Sequence, residues 1–383
     1  MTLPLEGVRV LDLTTVLAGP YCTMMLADAG ADVIKVEPPA GDPARKMGPP
    51  FWGAESTEFL ALNRNKRSIV LDLKSAEGHA EFLKLVGTAD VVVENYRSGV
   101  TERLDISYEK LAAINPRLVY CSISGFGRTG PRKDQAAYDA VMQAFVGMMA
   151  ATGHPGGEPV RVNTSIVDIS AGLYGNQAIL LALLARDRTG RGQRVEASLF
   201  ESQIAWLLYR AVGYYATGSA PAKKMGSGAP HVVPYEAYPT ADGWLMAGAL
   251  NDKLYVKMVD AMGMPRLATD PRFVTNQDRV ERRVELTALL RERFAQEPTD
   301  KWVDTFTKAG IPHSPVNTVE DVLHDPQTAA RDMIADIEHP TVGAIKVPGI
   351  PIKLSETPGA VRLPPPALGE HQDEIVGVVH GGC

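Results

Sequence analysis

Nucleophilic and acid–base chemistry leaves recognisable spacings in a sequence, and most of them are missing from this chain. There is no G-x-S-x-G elbow to expose a serine, no H-E-x-x-H pair to hold zinc and no phosphate loop of Walker type. The eight histidines (His79, His154, His231, His313, His324, His339, His371 and His380) are scattered without ligand spacing, so no metal site is expected. Gly125-Phe-Gly127-Arg-Thr-Gly130 has the letters of a dinucleotide fingerprint. Pro131 follows where a helix should open, however, and the strand before it is a late one. Its glycines are read instead as letting backbone amides approach a ligand at a strand end. Carboxylate chemistry remains. Asp168, in Ser165-Ile-Val-Asp168-Ile-Ser-Ala-Gly172, stands at the mouth of the strongest helical pattern in the chain. The plain reading is a helix N-cap. The same place also suits a nucleophile, because the helix dipole and amide donors keep a carboxylate ionised there.

The elements that must position such a residue alternate between two periods. Val8–Leu13 is an apolar run containing Asp12, followed by the turn-forming Ala18-Gly19-Pro20. A helical pattern, Tyr21–Asp28, stops at Gly30, and Asp32–Glu37 reads as a second strand. Strands at Ser68–Leu73, Ala89–Glu94 and Leu118–Ser124 continue the rhythm, with a helix at Ala76–Leu85. A helix over Ile169–Asp187 ends at Thr189-Gly190-Arg191-Gly192, and strand Arg194–Leu199 and helix Glu201–Val212 repeat the unit. This predicts an α/β fold with a doubly wound, Rossmann-like parallel sheet in a large domain over residues 1–215. Residues 216–229, small and polar with Lys223 and Lys224, read as a linker. A smaller α+β domain is expected over 230–322, with a hairpin in Pro234–Gly248 around Ala241-Asp242-Gly243. Charged helices near Arg279–Phe294 and Asp300–Ala309 complete it. The proline-rich remainder, 323–383, is expected to return extended over the large domain.

Composition narrows the class. With 45% hydrophobic and 22% charged residues over 383 positions, the balance is that of an ordinary globular protein. A net charge of −6 leaves no broad basic footprint for nucleic acid, so an anionic ligand must be met by local cations. No stretch reaches the ~20 uninterrupted apolar residues of a membrane span, and Met1–Gly7 lacks the pattern of a signal peptide. Neither membrane nor nucleic-acid partners are expected. Cys22, Cys121 and Cys383 form no CxxC pair. Cys22 and Cys121 read as reduced core thiols, which fits a cytoplasmic location.

Seven segments occur in one order: Val16-Leu-Ala-Gly-Pro20, Gly30-Ala-Asp-Val-Ile-Lys-Val-Glu37, Asn63-Arg-Asn-Lys-Arg-Ser68, Val93-Glu-Asn95, Tyr138-Asp139, Asp168 and Thr189-Gly-Arg-Gly-Gln193. In that order the chain resembles the class III CoA-transferases, the CaiB/BaiF-like family of formyl-CoA transferase and carnitine CoA-transferase, over essentially its whole length. The resemblance implies an interlocked homodimer of ring-like chains. It implies coenzyme A or acyl-CoA as substrate, with no permanently bound cofactor, and Asp168 as the covalent nucleophile. It also implies CoA contacts at Leu17, Ala18, Leu71, Asp72, Leu73, Lys74, Asn95, Tyr96, Arg103, Ala136, Ala137, Tyr138 and Asp139.

Two departures bear on the substrate. A glutamine of formyl-CoA transferase is Leu17 here, and its CoA-contacting arginine is Pro38, which points away from an oxalate–formate pairing. Gly48-Pro-Pro-Phe51, Glu55-Ser-Thr57, Val232-Val-Pro-Tyr235 and Glu338-His-Pro-Thr-Val-Gly343 are similar to the succinate–hydroxymethylglutarate type within the family. That implies succinyl-CoA as donor and a short dicarboxylate as acceptor. Arg45, Arg161 and His231 are the candidates to meet its second carboxylate, since a buried charge left unpaired is costly. Two other functions are weighed against this one. An α-methylacyl-CoA racemase shares the fold but has a histidine where Tyr138 stands, and a tyrosine of pKa ~10 is a poor base near neutrality. A catalytically silent acyl-CoA-binding protein would form no aspartyl adduct.

Overall fold

Six short segments rich in β-branched residues pair in parallel to form the main sheet. They are β1 (Arg9–Asp12), β2 (Asp32–Glu37), β3 (Lys66–Val70), β4 (Val91–Glu94), β5 (Val119–Ser124) and β6 (Arg194–Ser198). Their order is β3-β2-β1-β4-β5-β6, with Leu11 in register with Ile34 on one side and Val92 on the other. Strands of a parallel sheet are covered on both faces, so apolar runs such as Val91–Val93 are wholly buried. The computed structural model describes residues 2–219 and 224–380, the last three of these by backbone alone.

Five helices matter for the site: α1 (Ala18–Asp28), α2 (Thr57–Leu62), α3 (Ala76–Val86), α4 (Asp139–Phe145) and α5 (Ile166–Thr189). Phe82 and Leu85 of α3 join Leu11, Ile34, Ile69 and Tyr120 in one core. By length and composition alone α5 is apolar enough to cross a membrane. One face of it is packed, with Val167, Ala171, Ile179 and Leu183 buried, while Leu173, Leu181 and Leu184 are exposed. Gly172 lets it lie against α1: a Cβ there would come within 2.6 Å of the Ala18 carbonyl oxygen. Gly192, in the turn leading to β6, would meet the Leu118 carbonyl oxygen at 2.0 Å. Both positions need glycine for close backbone approach.

A buried ion-pair network joins β1, β2 and β3 to the segments around them, and it accounts for two of the diagnostic motifs. Lys66 donates to Asp12 at 3.0 Å, to the Pro20 carbonyl and to Asn63. Lys35 pairs with Asp42 at 2.7 Å, and Arg45 with Glu37 at 2.7 Å. Arg64 forks onto Asp28 at 2.9 and 2.6 Å. Burial alone would raise the proton affinity of Asp12, but Lys66 and Lys35, with donors Thr14 and Thr23, outweigh it and hold the pKa down to about 2.

The chain divides into two units. One comprises Met1–Val146, Val162–Leu208 and Pro326–Cys383; the other comprises Gly147–Arg161 and Tyr209–Asp325. This partition differs from the boundaries expected at 215, 229 and 322. Part of the expected linker lies outside the described residues (220–223). Its remainder pairs with the 147–161 segment, Gly226 donating to Gly153 at 2.9 Å and Lys224 to the Gly157 carbonyl at 2.8 Å. The second unit holds an antiparallel sheet of β7 (Tyr235–Pro239), β8 (Trp244–Gly248) and β9 (His313–Pro315) over an aromatic core that includes Tyr238, Phe294, Trp302 and Phe306.

Expected to lie extended over the large domain, the segment from Pro326 onward belongs to the first unit but is not wholly extended. After a short helix, Pro326–Ala330, comes an antiparallel hairpin, β10 (Ile334–His339) and β11 (Gly343–Pro348). The segment then runs along the β3 edge. Asn65 accepts from the Arg362 and Leu363 amides at 2.6 and 2.9 Å, and Ser68 receives the Gly369 amide at 3.0 Å. A closing helix, Gln372–His380, follows.

Candidate active site

In the order β3-β2-β1-β4-β5-β6 the winding reverses between β1 and β4, and ligands of such sheets bind outside the carboxyl ends of the strands at that point. The turns there are built with little freedom. Thr14 has its N–H on Asp12 and its carbonyl on Lys35. Thr15 is clasped at both polar backbone groups by the Asn95 side chain, at 2.9 and 2.8 Å. Val16 donates to Asp42 at 3.1 Å. So held, Val16 adopts φ +67°, a left-handed conformation that costs a β-branched residue of order 1–3 kcal/mol. The strain is local to the turn that delivers Leu17 and Ala18 to the start of α1.

A cavity of about 450 Å³ opens at this reversal. Thr15–Ala18 follow β1, Asn95–Ser98 follow β4, and Ser124 and Gly125 end β5; all line it, together with Lys133–Tyr138 and Asp168. A second cavity, about 560 Å³, shares Tyr96 and Val100 with the first and is lined by Val36, Pro38, Leu71–Lys74, Arg103 and Leu104. Of the expected CoA contacts, Leu17, Ala18, Asn95, Tyr96, Ala136, Ala137 and Tyr138 therefore gather around Asp168. Leu71, Asp72, Leu73, Lys74 and Arg103 line the adjoining space. Asp139 lines neither; it is buried beneath.

Asp168 is half-buried on the first turn of α5, but it is not the N-cap. Ser165 occupies that position and makes no side-chain bond. The expectation that its surroundings keep Asp168 readily ionised is also corrected. Burial, then the neighbouring charges of Asp139 and Glu58, raise its pKa from 3.8 to about 7. Near neutrality the carboxylate is thus both appreciably populated and basic.

The cations expected to meet a second carboxylate fall elsewhere. Arg45 is committed: its guanidinium forks onto Glu37, donates to the Pro366 carbonyl and stacks 3.8 Å from the Phe59 ring centroid. The expectation for Arg45 is therefore corrected, because its charge is neutralised away from the cavity. Arg161 and His231 belong to the second unit, where His231 is exposed and packs edge-on to Tyr209. The cations that do line the Asp168 cavity, Arg97 and Lys133, were missed by sequence reasoning. Arg97 follows Asn95-Tyr96 directly, so its place at a strand end was the available signal. Among the described residues no group of three or more acidic, histidine or cysteine side chains is arranged to hold a metal.

Comparison with known proteins agrees with this geometry. The profile described as CoA-transferase family III matches residues 5–372. The chain is 42% identical over 374 residues to human succinyl-CoA:glutarate CoA-transferase, covering 97% of this chain and 85% of that one. It is 43% identical over 368 residues to the acetyl-CoA:oxalate CoA-transferase of Acetobacter aceti, covering 94% and 93%. Among solved structures it resembles a CAIB/BAIF family protein from Brucella suis, with a TM-score of 0.88 and 40% identity over 99% of this chain and all of that one.

Proposed function

The chain belongs to CoA-transferase family III, and on that premise we propose that it moves coenzyme A from succinyl-CoA to a short dicarboxylate through a thioester on Asp168. The observation that carries the reading is the Asp168 carboxylate facing the cavity at the sheet's switch point, next to a cavity bearing Lys74 and Arg103. Those two cations suit the phosphates of the nucleotide. Ionised Asp168 attacks the thioester carbonyl, and the C–S bond breaks to give a mixed anhydride and CoA thiolate. The thiolate then attacks the aspartyl carbonyl, releasing the donor acid and leaving aspartyl-CoA. The acceptor carboxylate attacks that thioester in turn. The thiolate it expels takes the acceptor acyl group and frees Asp168. Splitting the exchange this way replaces one difficult step by several easier ones.

Each tetrahedral step needs donors for an oxyanion. The Ala18 amide, the first of α1, has no intrahelical acceptor and stands at the cavity wall. Among the described residues no histidine lines this cavity, and Tyr138 stands where a racemase would place one, which favours transfer over proton abstraction. A cytoplasmic location accords with the free, buried thiols of Cys22 and Cys121.

The relatives compared above act on glutarate and on oxalate, both dicarboxylates by name. The unreacted carboxylate of such an acid needs a cation, and Arg97 and Lys133 are those in the cavity. With succinyl-CoA as donor, kcat/KM for a four- to six-carbon dicarboxylate such as glutarate, malate or itaconate should exceed that for oxalate, formate or carnitine. Clear preference for any of the last three would refute the assignment to a four- to six-carbon dicarboxylate and leave transfer standing.

The family resemblance also supports an interlocked homodimer, and the exposed Tyr209, Val212 and Tyr215 supply apolar surface for one. Threaded chains cannot part without unfolding. Native mass spectrometry at nanomolar concentration should show dimer alone, whereas a reversible monomer there would refute threading.

A further inference from the structure

We propose that Asp139 is a positioning residue for the nucleophile, fixing the first turn of α5 from the neighbouring helix α4, and not a contact to coenzyme A. The proposal rests on Asp168 being that nucleophile. Asp139 is only 6% exposed, and both of its oxygens are engaged. Oδ2 accepts the Val167 amide at 2.8 Å, one residue before Asp168. Oδ1 accepts from Gln143 Nε2 at 2.6 Å.

Gln143, wholly buried one turn further along α4, closes the arrangement. Its Oε1 receives the Val162 amide at 2.9 Å, and its Nε2 also reaches the Val162 carbonyl at 3.3 Å. The chain entering α5 is thus held at Val162 by one side chain of α4 and at Val167 by another. Ser165, which has the N-cap position, makes no side-chain bond. Asp139 therefore satisfies a first-turn amide that the helix's own cap leaves open, and a carboxylate is well suited to that place. Neither cavity is lined by Asp139, so a ligand there would meet Tyr138 and not its neighbour.

The geometry has an electrostatic consequence. The Asp139 charge is one of two that, after burial, raise the proton affinity of Asp168; the other is Glu58 of α2. Tyr96, Arg97, Lys133, Asp134 and Tyr138 line the same cavity and complete its titratable surroundings. Removing the Asp139 charge should therefore make Asp168 easier to ionise while letting its helical turn shift. A purely structural residue would do only the second.

The test is Asp139→Asn in the full-length enzyme, with succinyl-CoA and its best acceptor. We expect kcat to fall about tenfold or more while KM for succinyl-CoA changes by less than about threefold. The acidic limb of the kcat/KM profile should move to lower pH by about half a pH unit or more. If Asp139→Asn does not fold, Asp139→Ser, which leaves room for a water on the Val167 amide, gives the same readouts. A raised KM with kcat and profile unchanged would overturn the proposal in favour of a ligand contact. A lowered kcat with an unmoved profile, or no change at all, would overturn it too. Peptide mapping of the wild-type protein after incubation with succinyl-CoA separates the two levels. No adduct on Asp168 would sink the nucleophile and this proposal together, whereas an adduct with an unmoved profile would sink only the latter.

Discussion

Replacing Asp168 by alanine is expected to abolish CoA transfer, lowering kcat by roughly four powers of ten or more, because the covalent route disappears with the carboxylate. Residual turnover within about a hundredfold of the wild type would show that another group carries the acyl transfer. The same variant should be more stable than the wild type under mildly alkaline conditions, which an N-cap would not be; losing a cap costs about 1 kcal/mol. The sign follows from the pKa, about 7 in the folded protein against an ordinary value of 3.8. Folded Asp168 binds its proton more tightly than the unfolded chain does. Its penalty on folding is therefore absent below the lower value, grows between the two and is complete above the upper. Relieving it gives at most about 4 kcal/mol at about pH 8 and nothing at about pH 3. Thermal melts of the two proteins at both pH values decide it: an alkaline Tm below the wild type would contradict the electrostatics described for the site.

The largest loss of stability from a single exchange is expected at Lys66. Its ammonium is fully buried and all three of its protons are engaged, on Asp12, Pro20 and Asn63. Lys66→Met would leave Asp12 short of a partner in the core and should cost about 3–5 kcal/mol, since removing one member of a buried pair strands the other. Lys346→Met, which breaks an exposed pair with Asp336, should change stability by less than about 0.5 kcal/mol. Urea titrations monitored by far-ultraviolet circular dichroism would compare them, and equal midpoints would refute the importance of the network. The contribution of Asp12 has a definite pH window. Its folded pKa, about 2, lies below the ordinary value of 3.8. The stabilisation is therefore complete above the latter and is lost as pH falls through the former. Activity should fail with stability, because Asp12 also holds Thr14 in the turn before Leu17.

What sequence patterns revealed, and what they hid, divides along physical lines. The apolar strands β1, β4 and β5 were legible because strands of a parallel sheet are buried on both faces and read as unbroken runs. β3 was placed two residues late, at Ser68–Leu73 and not Lys66–Val70, because its buried Lys66 looks like a surface residue until its partners are seen. The helix expected over Glu201–Val212 is two, broken near Leu208 at φ +38°. The β10–β11 hairpin was missed although Ile-Ala-Asp-Ile-Glu-His and Gly-Ala-Ile-Lys-Val-Pro alternate as paired strands do; the prolines drew attention away. At the site, Asp168 and most of its neighbours could be named from motif order. The roles of Asp139 and Arg45 could not, because a charged residue's partner is set by tertiary contacts that local spacing does not encode.

The clasp between Asn65 and Leu363 joins residues 298 positions apart in the chain. On the ribosome, at about 5–20 residues per second, roughly 15–60 seconds separate their synthesis. Throughout that interval β3 is the edge of the nascent sheet with its covering strap not yet made. An edge strand lacking its cover is a template for pairing with other chains, and charged side chains are one way to discourage this. Lys66 and Arg67 lie on that strand. In the finished molecule both are paired, Lys66 with Asp12 and Arg67 with Asp32 and Glu374. While the chain is still being made, Arg67 has yet to meet Glu374, and its charge can act as a temporary guard against aggregation.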